Sequence, residues 1–256
     1  MAMSVRPTLQ QITQQADFLP DLAVIAERVT QASDSSEVTA LLAEAACLAG
    51  TDVAAFASFM QDDEFYESYR VILACDPLWC LAYENDACYI HDPWLTYARH
   101  HSEPVLAHRL PARTNKEIDV RALASEFGFV SALIVPSQAP HGLTRLGALC
   151  IGSREPDYFD DPSLWKLTFG ATALAMRLHE WEVAQLRSEL LQTASLTPDD
   201  LTLLRHQLAG HKSKEVARAI NTTAMAVDSH WQRLNSKLGV TSRLAAVRRA
   251  AEYGLI

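Results

Sequence analysis

Two short helical patterns separated by a tight break lie between residues 213 and 238. In the first pattern, Val216, Ala217 and Ile220 fall on one helical face. Asn221-Thr222-Thr223 then interrupts the period with residue types that favour turns and helix caps. The period resumes at four apolar residues, Val227, Trp231, Leu234 and Leu238. Two helices around such a turn form a helix-turn-helix, whose second helix can enter the major groove of DNA. A helical hairpin packed into a protein core would show the same periodicity and is the alternative interpretation.

The flanking residues favour a complete small domain over a hairpin. Thr197 and Pro198 provide a cap and a first-position proline for an earlier helix. Gly239 stands where a left-handed residue can end the second helix of the motif. A fourth helix follows from Arg243 onwards. The sequence therefore predicts an all-α four-helix helix-turn-helix domain at residues 196–256, after a short polar linker at residues 192–195.

This segment resembles the DNA-binding domain of LuxR-type regulators. The matching positions are Leu196, Thr197, Leu204, Gly210, Glu215, Ala217, Val227, His230, Lys237, Leu238, Gly239, Val240, Arg243, Ala246, Val247 and Gly254-Leu255-Ile256. Asp199-Asp200 stands where the family usually has Arg-Glu, and His211-Lys212 where it has lysine followed by serine or threonine. Ala226 replaces a threonine, and Asp228 is acidic where a DNA-facing residue often lies.

The candidate base contacts lie opposite the apolar face of the second helix. Gln232 can pair with adenine, Arg233 with guanine or phosphate, and Ser229 with either base edge. The remaining expected DNA contacts, chiefly to phosphates, are Lys212, Lys214, Lys237 and Arg243. Asp228 on the same face would repel the DNA backbone, unless it accepts from a cytosine amino group or pairs with a neighbouring arginine.

The charge of the chain is distributed unevenly. The 256 residues carry a net charge of −9, which alone argues against a nucleic-acid partner. Residues 196–256 hold 9 lysines and arginines against 5 acidic residues, a net charge of +4, so the rest of the chain carries −13. Such an uneven distribution is what a basic DNA-binding module joined to an acidic partner domain would give, because basic side chains supply most sequence-independent DNA affinity.

Several other protein classes are disfavoured. The five cysteines form no Cys-x-x-Cys pair, which indicates free thiols in a reducing compartment. The polar opening of the chain lacks the apolar core of a signal peptide, and there is no apolar run of about 20 residues. We therefore expect a cytoplasmic protein with no membrane span, no metal site and no cofactor.

The first 191 residues are expected to form an α/β sandwich, with helices flanking a central antiparallel sheet. The predicted helices are residues 21–32, 35–49, 116–127 and 161–191. The predicted strands are residues 52–60, 69–74, 132–136 and 146–152. An acidic loop is expected at residues 61–64. A helix as long as the last one usually buries one stripe against its own domain and another against a partner.

Most of residues 20–190, within the predicted domain 1–191, resembles the signal-binding domain of the same LuxR-type family, which recognises acyl-homoserine lactones. The resemblance rests on the spacing of Trp79, Tyr83, Asp92 and Pro93, and it extends to Phe127-Gly128-Phe129, Pro136 and the run 146–149. It implies that Trp79 donates to the lactone carbonyl, Asp92 accepts from the ligand amide, and Tyr83 contacts the acyl carbonyl. Each role suits the side chain, because an indole can only donate and an ionised carboxylate can only accept. The alternatives are a core tryptophan and a helix cap at Asp92-Pro93.

The chain departs from the family at further expected pocket residues. Cys75 stands where the family often has tyrosine, and Cys150 where it often has serine or threonine. Ala107 replaces a family tryptophan, and Ala132 replaces a glycine. Trp94 could refill part of the space. A pocket with fewer hydrogen-bonding groups implies either an altered ligand or weaker binding.

These features predict a signal-responsive transcription regulator that is not an enzyme. It would bind double-stranded DNA and a small-molecule signal as a homodimer, with the long helix and the last helix pairing across a two-fold axis. An enzyme with Cys-His chemistry near His91 is the second possibility, but no nucleophile elbow, phosphate loop or His-Glu-x-x-His motif is present. The third is an anti-activator that sequesters a related regulator in heterodimers, which Asp199, Ala226 and Asp228 favour.

Overall fold

The structure, a computed structural model, describes residues 6–61, 67–138 and 146–256. The chain divides into two compact units, one containing the described residues up to Trp181 and the other Glu182–Ile256. The division falls within the long helix α7, and the domain boundary at residue 191 stays a prediction. Among the helices that the structure describes, none combines the length and the apolar character needed to cross a bilayer.

The first unit is built on a five-stranded antiparallel sheet in the order β2-β1-β5-β4-β3. Its strands are β1 (Val53–Gln61), β2 (Glu67–Ala74), β3 (Val105–Leu106), β4 (Ser131–Gln138) and β5 (Leu146–Ser153). Its helices are α1 (Leu9–Thr13), α2 (Phe18–Gln31), α3 (Ser35–Leu48), α4 (Leu78–Asn85), α5 (Pro93–His100), α6 (Asn115–Glu126) and α7 (Leu164–Thr193). Single 3₁₀ turns lie at Cys88–Ile90 and Ala107–Arg109.

The two faces of the sheet have separate cores, because successive side chains of a strand point to opposite faces. Phe56, Leu149 and Ile151 pack with residues of α1, α2, α3 and α7 on one face. Ala55 and Cys150, which are paired across β1 and β5, point to the other face. There they join a cluster with residues of α4, α5 and α6. The predicted α/β sandwich is therefore confirmed.

The second unit is all-helical, as the sequence predicts. After the end of α7 it contains α8 (Pro198–Leu208), α9 (Ser213–Ala219), α10 (Ala224–Lys237) and α11 (Arg243–Glu252). Its core contains apolar residues from all four of these helices and from the C-terminal part of α7, among them Leu204, Val216, Trp231 and Ala250. Gly239 has a φ of 65°, so glycine ends α10 in the left-handed conformation that the sequence predicts.

Several sequence expectations need correction. The first long helix begins at Phe18 instead of Asp21, because Pro20 is tolerated in a first helical turn and Phe18 is buried there. Helices α1, α4 and α5 were not predicted as such. Ile220 is 40% exposed, not inward-facing, because α9 ends at Ala219. Gln61 belongs to β1, and the rest of the expected acidic loop lies outside the described residues.

Candidate functional site

A largely apolar cavity lies between the second face of the sheet and helices α4 and α5. It contains about 530 Å³ of empty space, part of which is open to solvent. Alternate residues of three strands form its sheet side: Ala55, Ala57, Phe59, Tyr69, Val71, Leu73, Ala148 and Cys150. The helix side is formed by Trp79, Cys80, Tyr83, Asp92, Trp94 and Leu95. Alanine at three neighbouring sheet positions leaves room that larger side chains would fill.

Asp92 supplies a buried carboxylate to this cavity, with only 5% of the residue exposed. Its Oδ2 accepts a hydrogen bond from the Tyr83 hydroxyl at 2.7 Å, and its Oδ1 accepts from the Trp94 backbone N–H at 2.7 Å. The second bond caps α5, and Pro93 occupies the first helical position. The cap interpretation is therefore confirmed. A carboxylate has about four acceptor sites, so it can also accept from a ligand.

Burial governs the ionisation of the groups around this carboxylate. Burial raises the pKa of Asp92, while the hydrogen bonds from Tyr83 and from the Trp94 N–H lower it and only partly cancel the effect. Burial, followed by the charge of Asp92, also raises the pKa of the Tyr83 hydroxyl. Tyr83 therefore stays protonated and acts as the donor of this pair.

Two indole groups lie beside the carboxylate. Trp79 is 9% exposed and Trp94 is 5% exposed. No described residue accepts a hydrogen bond from either indole Nε1. Phe129 packs on both rings, with centroid distances of 4.9 Å to Trp79 and 6.0 Å to Trp94. Buried donors normally have partners, so both indoles are available to an incoming acceptor.

The structure brings together five of the seven ligand residues that the sequence suggests. Trp79, Tyr83, Asp92, Trp94 and Cys150 all line the cavity. Cys75 and Ala107 pack against the same cluster without lining the cavity. The sheet-side alanines were missed, although their spacing of two residues along β1 is visible in the sequence. Arg121, near Asp92, gave no sequence signal.

The cysteines of this region are poor nucleophiles. Burial raises the pKa of Cys75 to about 12 and raises the pKa of Cys80, Cys88 and Cys150 as well. The reactive form of cysteine is the thiolate, which these shifts disfavour near pH 7. These four cysteines therefore do not support the Cys-His alternative near His91.

In the second unit, α10 has one buried face and one exposed face. Val227, Trp231 and Leu234 are buried in the core. The exposed face carries the predicted DNA-facing residues: Asp228, Ser229, Gln232, Arg233 and Ser236. Lys212 and Lys214, at the start of α9, are exposed as well.

Asp228 pairs with an arginine, one of the two alternatives that the sequence left open. Arg243 donates to Asp228 Oδ1 at 2.6 Å and to the Ser213 hydroxyl at 2.8 Å, while Ser213 donates to Asp228 at 2.7 Å. The Arg243 guanidinium also lies 5.3 Å from the centre of the Trp231 ring. The hydrogen bonds from Ser213 and Arg243 lower the pKa of Asp228. This acidic residue is thus compensated within the unit.

Asp200 is a second buried carboxylate and connects α8 to α10. Its oxygens lie 2.7 Å from Lys237 Nζ and 2.7 Å from His230 Nε2, and they accept from the Thr197 N–H at 2.8 Å. Lys237 also donates to the Ser195 carbonyl at 3.0 Å. Burial would raise the pKa of Asp200, but Lys237, Thr197 and His230 together lower it to about 2. Lys237, a predicted DNA contact, is therefore engaged within the unit.

Comparison with known proteins identifies both parts of the chain. Residues 34–180 match the family model described as "Autoinducer binding domain", and residues 194–250 match "Bacterial regulatory proteins, luxR family". The transcriptional regulatory protein MctR of Rhizobium johnstonii is 31% identical over 61 residues, which are 24% of this chain and 28% of MctR. The similarity thus spans little more than a quarter of that relative.

Solved structures show the same fold at low sequence identity. SdiA in complex with octanoyl-rac-glycerol has a TM-score of 0.71 and 16% identity, covering 94% of this chain and 98% of that one. Escherichia coli SdiA in the space group P6522 has a TM-score of 0.71 and 15% identity, covering 94% of this chain and 99% of that one. CepR2 from Burkholderia cenocepacia has a TM-score of 0.58 and 16% identity, covering 67% and 98%.

Asp200→Asn should destabilise the second unit, since it leaves Lys237 and His230 without their carboxylate. The low pKa implies a loss of about 2 kcal/mol at pH 7. Because the folded-state pKa is depressed, this contribution is present above about pH 4 and disappears as the pH falls towards 2. Hydrogen exchange on the full chain should show faster exchange in residues 196–238. The exposed neighbour gives the control: Asp199→Asn should leave exchange unchanged, and equal effects of the two variants would contradict the assignment.

Proposed function

The chain belongs to the luxR family of bacterial regulatory proteins and has an autoinducer-binding domain, and we propose that it is a ligand-responsive transcriptional regulator. Its ligand is an acyl-homoserine lactone or a related small amphipathic molecule, and it controls promoters as a dimer. The observation that carries the proposal is the buried Asp92 carboxylate in an apolar cavity, beside two indole donors that have no acceptor among the described residues.

The chemistry of the cavity fits an acyl chain with a polar head. Its sheet side, formed mainly by alanine, valine and leucine, suits a hydrocarbon chain, because burial of apolar surface is favourable. Asp92 can accept from an amide N–H or a hydroxyl of the head, and Trp79 can donate to a carbonyl oxygen. Two structural neighbours support this class: SdiA was solved with octanoyl-rac-glycerol, and CepR2 is described as N-acylhomoserine lactone dependent.

The second unit supports recognition of double-stranded DNA. Ser229, Gln232 and Arg233 are exposed on α10, in position to reach base edges once that helix enters the major groove. Lys212 and Lys214 lie at the start of α9 and would contact phosphates. Arg243 donates to Asp228, so a contact from Arg243 to a phosphate would compete with that ion pair.

An exposed apolar stripe on α7 supports dimerisation. Trp165 is 62% exposed, Phe169 69% and Met176 40%, and their spacing places them on one helical face. Large apolar side chains exposed together mark an interaction surface. A second copy of the chain is the partner that suits a palindromic DNA site, since groove-reading helices act in pairs one DNA turn apart. Leu244 on α11, which is 77% exposed, fits the predicted second contact.

The anti-activator is the second candidate function. It is favoured by Asp228, which lies on the predicted DNA-reading face and holds Arg243, one of the predicted phosphate contacts. A heterodimer with a related regulator would then form without strong DNA binding. Retained dimerisation together with loss of salt-dependent DNA binding would select this function.

Asp92→Asn should weaken ligand binding by about 1–3 kcal/mol, because an amide oxygen is a weaker acceptor than a carboxylate. A heat-shift screen of the wild type against lactones of varied acyl length identifies a stabilising compound, and titration of both proteins with it measures the loss. Asp119→Asn, an exposed change on α6, is the matched control and should bind like the wild type. Equal stabilisation of all three proteins would mean that Asp92 is only a helix cap.

Trp165→Ser combined with Phe169→Ser should raise the dimer dissociation constant by at least about tenfold, because the stripe loses its two largest apolar contacts. Sedimentation velocity with ligand and DNA present measures the change. Ile118→Ser removes an apolar side chain of similar exposure from α6 and should leave the dimer intact. A wild type that stays monomeric at micromolar concentration would refute dimerisation.

Gln232→Ala should cost about 1–3 kcal/mol at one base position of the operator and little at the others. Lys214→Ala, which removes an expected phosphate contact, should instead weaken all sequences alike and reduce the salt dependence by about one counterion. Binding to a library of single-base operator variants at two salt concentrations separates the two effects. A uniform loss with Gln232→Ala would show that α10 does not read bases at this residue.

A further inference from the structure

The last turns of α7 belong to the second unit. The division between the two units falls within this helix, at Glu182. Ala194 is buried in the apolar core that α8, α9, α10 and α11 share, and Leu190 and Leu191 pack against that core. The polar linker expected at residues 192–195 is therefore part of the same folded unit as α10, the helix that would read DNA.

A closed turn joins the end of α7 to α8. Ser195 adopts the left-handed conformation, with a φ of 47°. Its N–H donates to the Gln192 carbonyl at 3.3 Å, and the Leu196 N–H donates to the Leu191 carbonyl at the same distance. These two hydrogen bonds form the Schellman motif that ends many helices. Thr197 then caps α8, so a single residue, Leu196, separates Ser195 from the cap of the next helix.

Lys237, the last residue of α10, holds this turn. Its Nζ donates to the Ser195 carbonyl at 3.0 Å and to Asp200 Oδ2 at 2.7 Å. The side chain of Asp200 is only 2% exposed, so the charge that anchors the ammonium group is shielded from water. Hydrogen bonds from a charged donor are stronger than neutral ones. One ammonium group therefore connects α10 both to α8 and to the turn before it.

We infer that Lys237 is a positioning residue for DNA recognition: its bond to the Ser195 carbonyl fixes α10 relative to the end of α7, and this restricts the half-site spacing that a dimer can read. The inference rests on the proposed function, in which two copies of α10 read a palindromic site. A free linker of the length of residues 192–195 would have a root-mean-square reach of about 11 Å. Base pairs are stacked about 3.4 Å apart, so that reach would let the spacing vary by about three base pairs. The closed turn removes this freedom.

This role differs from the DNA contact that the sequence suggests for Lys237. Removal of a lysine that contacts phosphate reduces the salt dependence of DNA binding by about one counterion and leaves the spacing of the half-sites unchanged. Removal of a positioning lysine should do the reverse. The salt dependence stays as it is, and the preference for one spacing is lost.

Selection from a random library of double-stranded DNA tests the inference without a known operator. The full-length protein is used with N-octanoyl homoserine lactone present, and the wild type should enrich paired half-sites at one spacing. In Lys237→Met, the enrichment of that spacing over its neighbours should fall by at least about fivefold, because a charge-assisted hydrogen bond is lost. Lys237→Arg keeps a charged donor and should restore the wild-type preference.

Two control variants separate positioning from stability. Asp200→Asn weakens the connection between α8 and α10 but leaves the Ser195 carbonyl as an acceptor for Lys237, so it should keep the single spacing. Arg205→Met removes an exposed cation from α8 and should match the wild type.

Hydrogen exchange on the full chain without DNA measures the turn directly. The amides of Ser195 and Leu196 should be protected in the wild type, because both are hydrogen-bonded. Lys237→Met should raise their exchange by at least about fivefold relative to the amides of residues 227–234 in α10. Lys237→Arg should leave that ratio unchanged. The comparison with α10 removes any general loss of stability of the unit.

The outcomes separate this inference from the proposed function. A single, unchanged spacing in Lys237→Met would overturn the inference, whatever the exchange result. An equal rise in exchange at the turn and in α10, in Lys237→Met and Asp200→Asn alike, would show that Lys237 only stabilises the unit and would also overturn it. A wild type that enriches no paired half-sites would overturn the proposed reading of DNA by a dimer, and the spacing role of Lys237 with it.

Discussion

The candidate site of the first unit depends on one electrostatic constraint: a buried carboxylate requires the protein to replace the hydrogen bonds that water would supply. The Tyr83 hydroxyl and the Trp94 backbone N–H, in the first turn of α5, donate two such hydrogen bonds to Asp92. The first contact connects α4 to the start of α5, and the second places Trp94 beside the carboxylate. The polar groups on the helix side of the cavity are therefore arranged around one carboxylate. A ligand that donates to Asp92 would add to this set of bonds.

The second unit uses the same principle for another purpose. Asp200 of α8 is buried against α10, where contacts with Lys237 and His230 connect the two helices. At the exposed face, Asp228 holds Arg243. Asp200 thus orients α10, the helix that would read DNA. Asp228 would limit the number of basic side chains that can contact the DNA backbone, because it already pairs with Arg243. DNA affinity should be correspondingly moderate and sensitive to salt.

Much of the fold follows from local patterns in the sequence. The period of Val227, Trp231 and Leu234 and the glycine at residue 239 predicted α10 closely, because amphipathic period and helix-ending residues are local properties. Helices α4 and α5 escaped prediction, since both are short. The site was only partly predictable: Asp92 and Trp79 have a recognisable spacing, whereas Arg121 reaches them only through the packing of α6. The cavity volume depends on small residues from three strands, which no single segment reveals.

A structure of the full chain with N-octanoyl homoserine lactone tests the central claim most directly. We expect the ligand amide to donate to an Asp92 carboxylate oxygen, and the indole nitrogens of Trp79 and Trp94 to lie within about 3.2 Å of ligand oxygens. The acyl chain should lie along Ala55 and Ala57. A ligand bound elsewhere, or bound with its head pointing away from Asp92, would contradict the assignment of this cavity as the signal site.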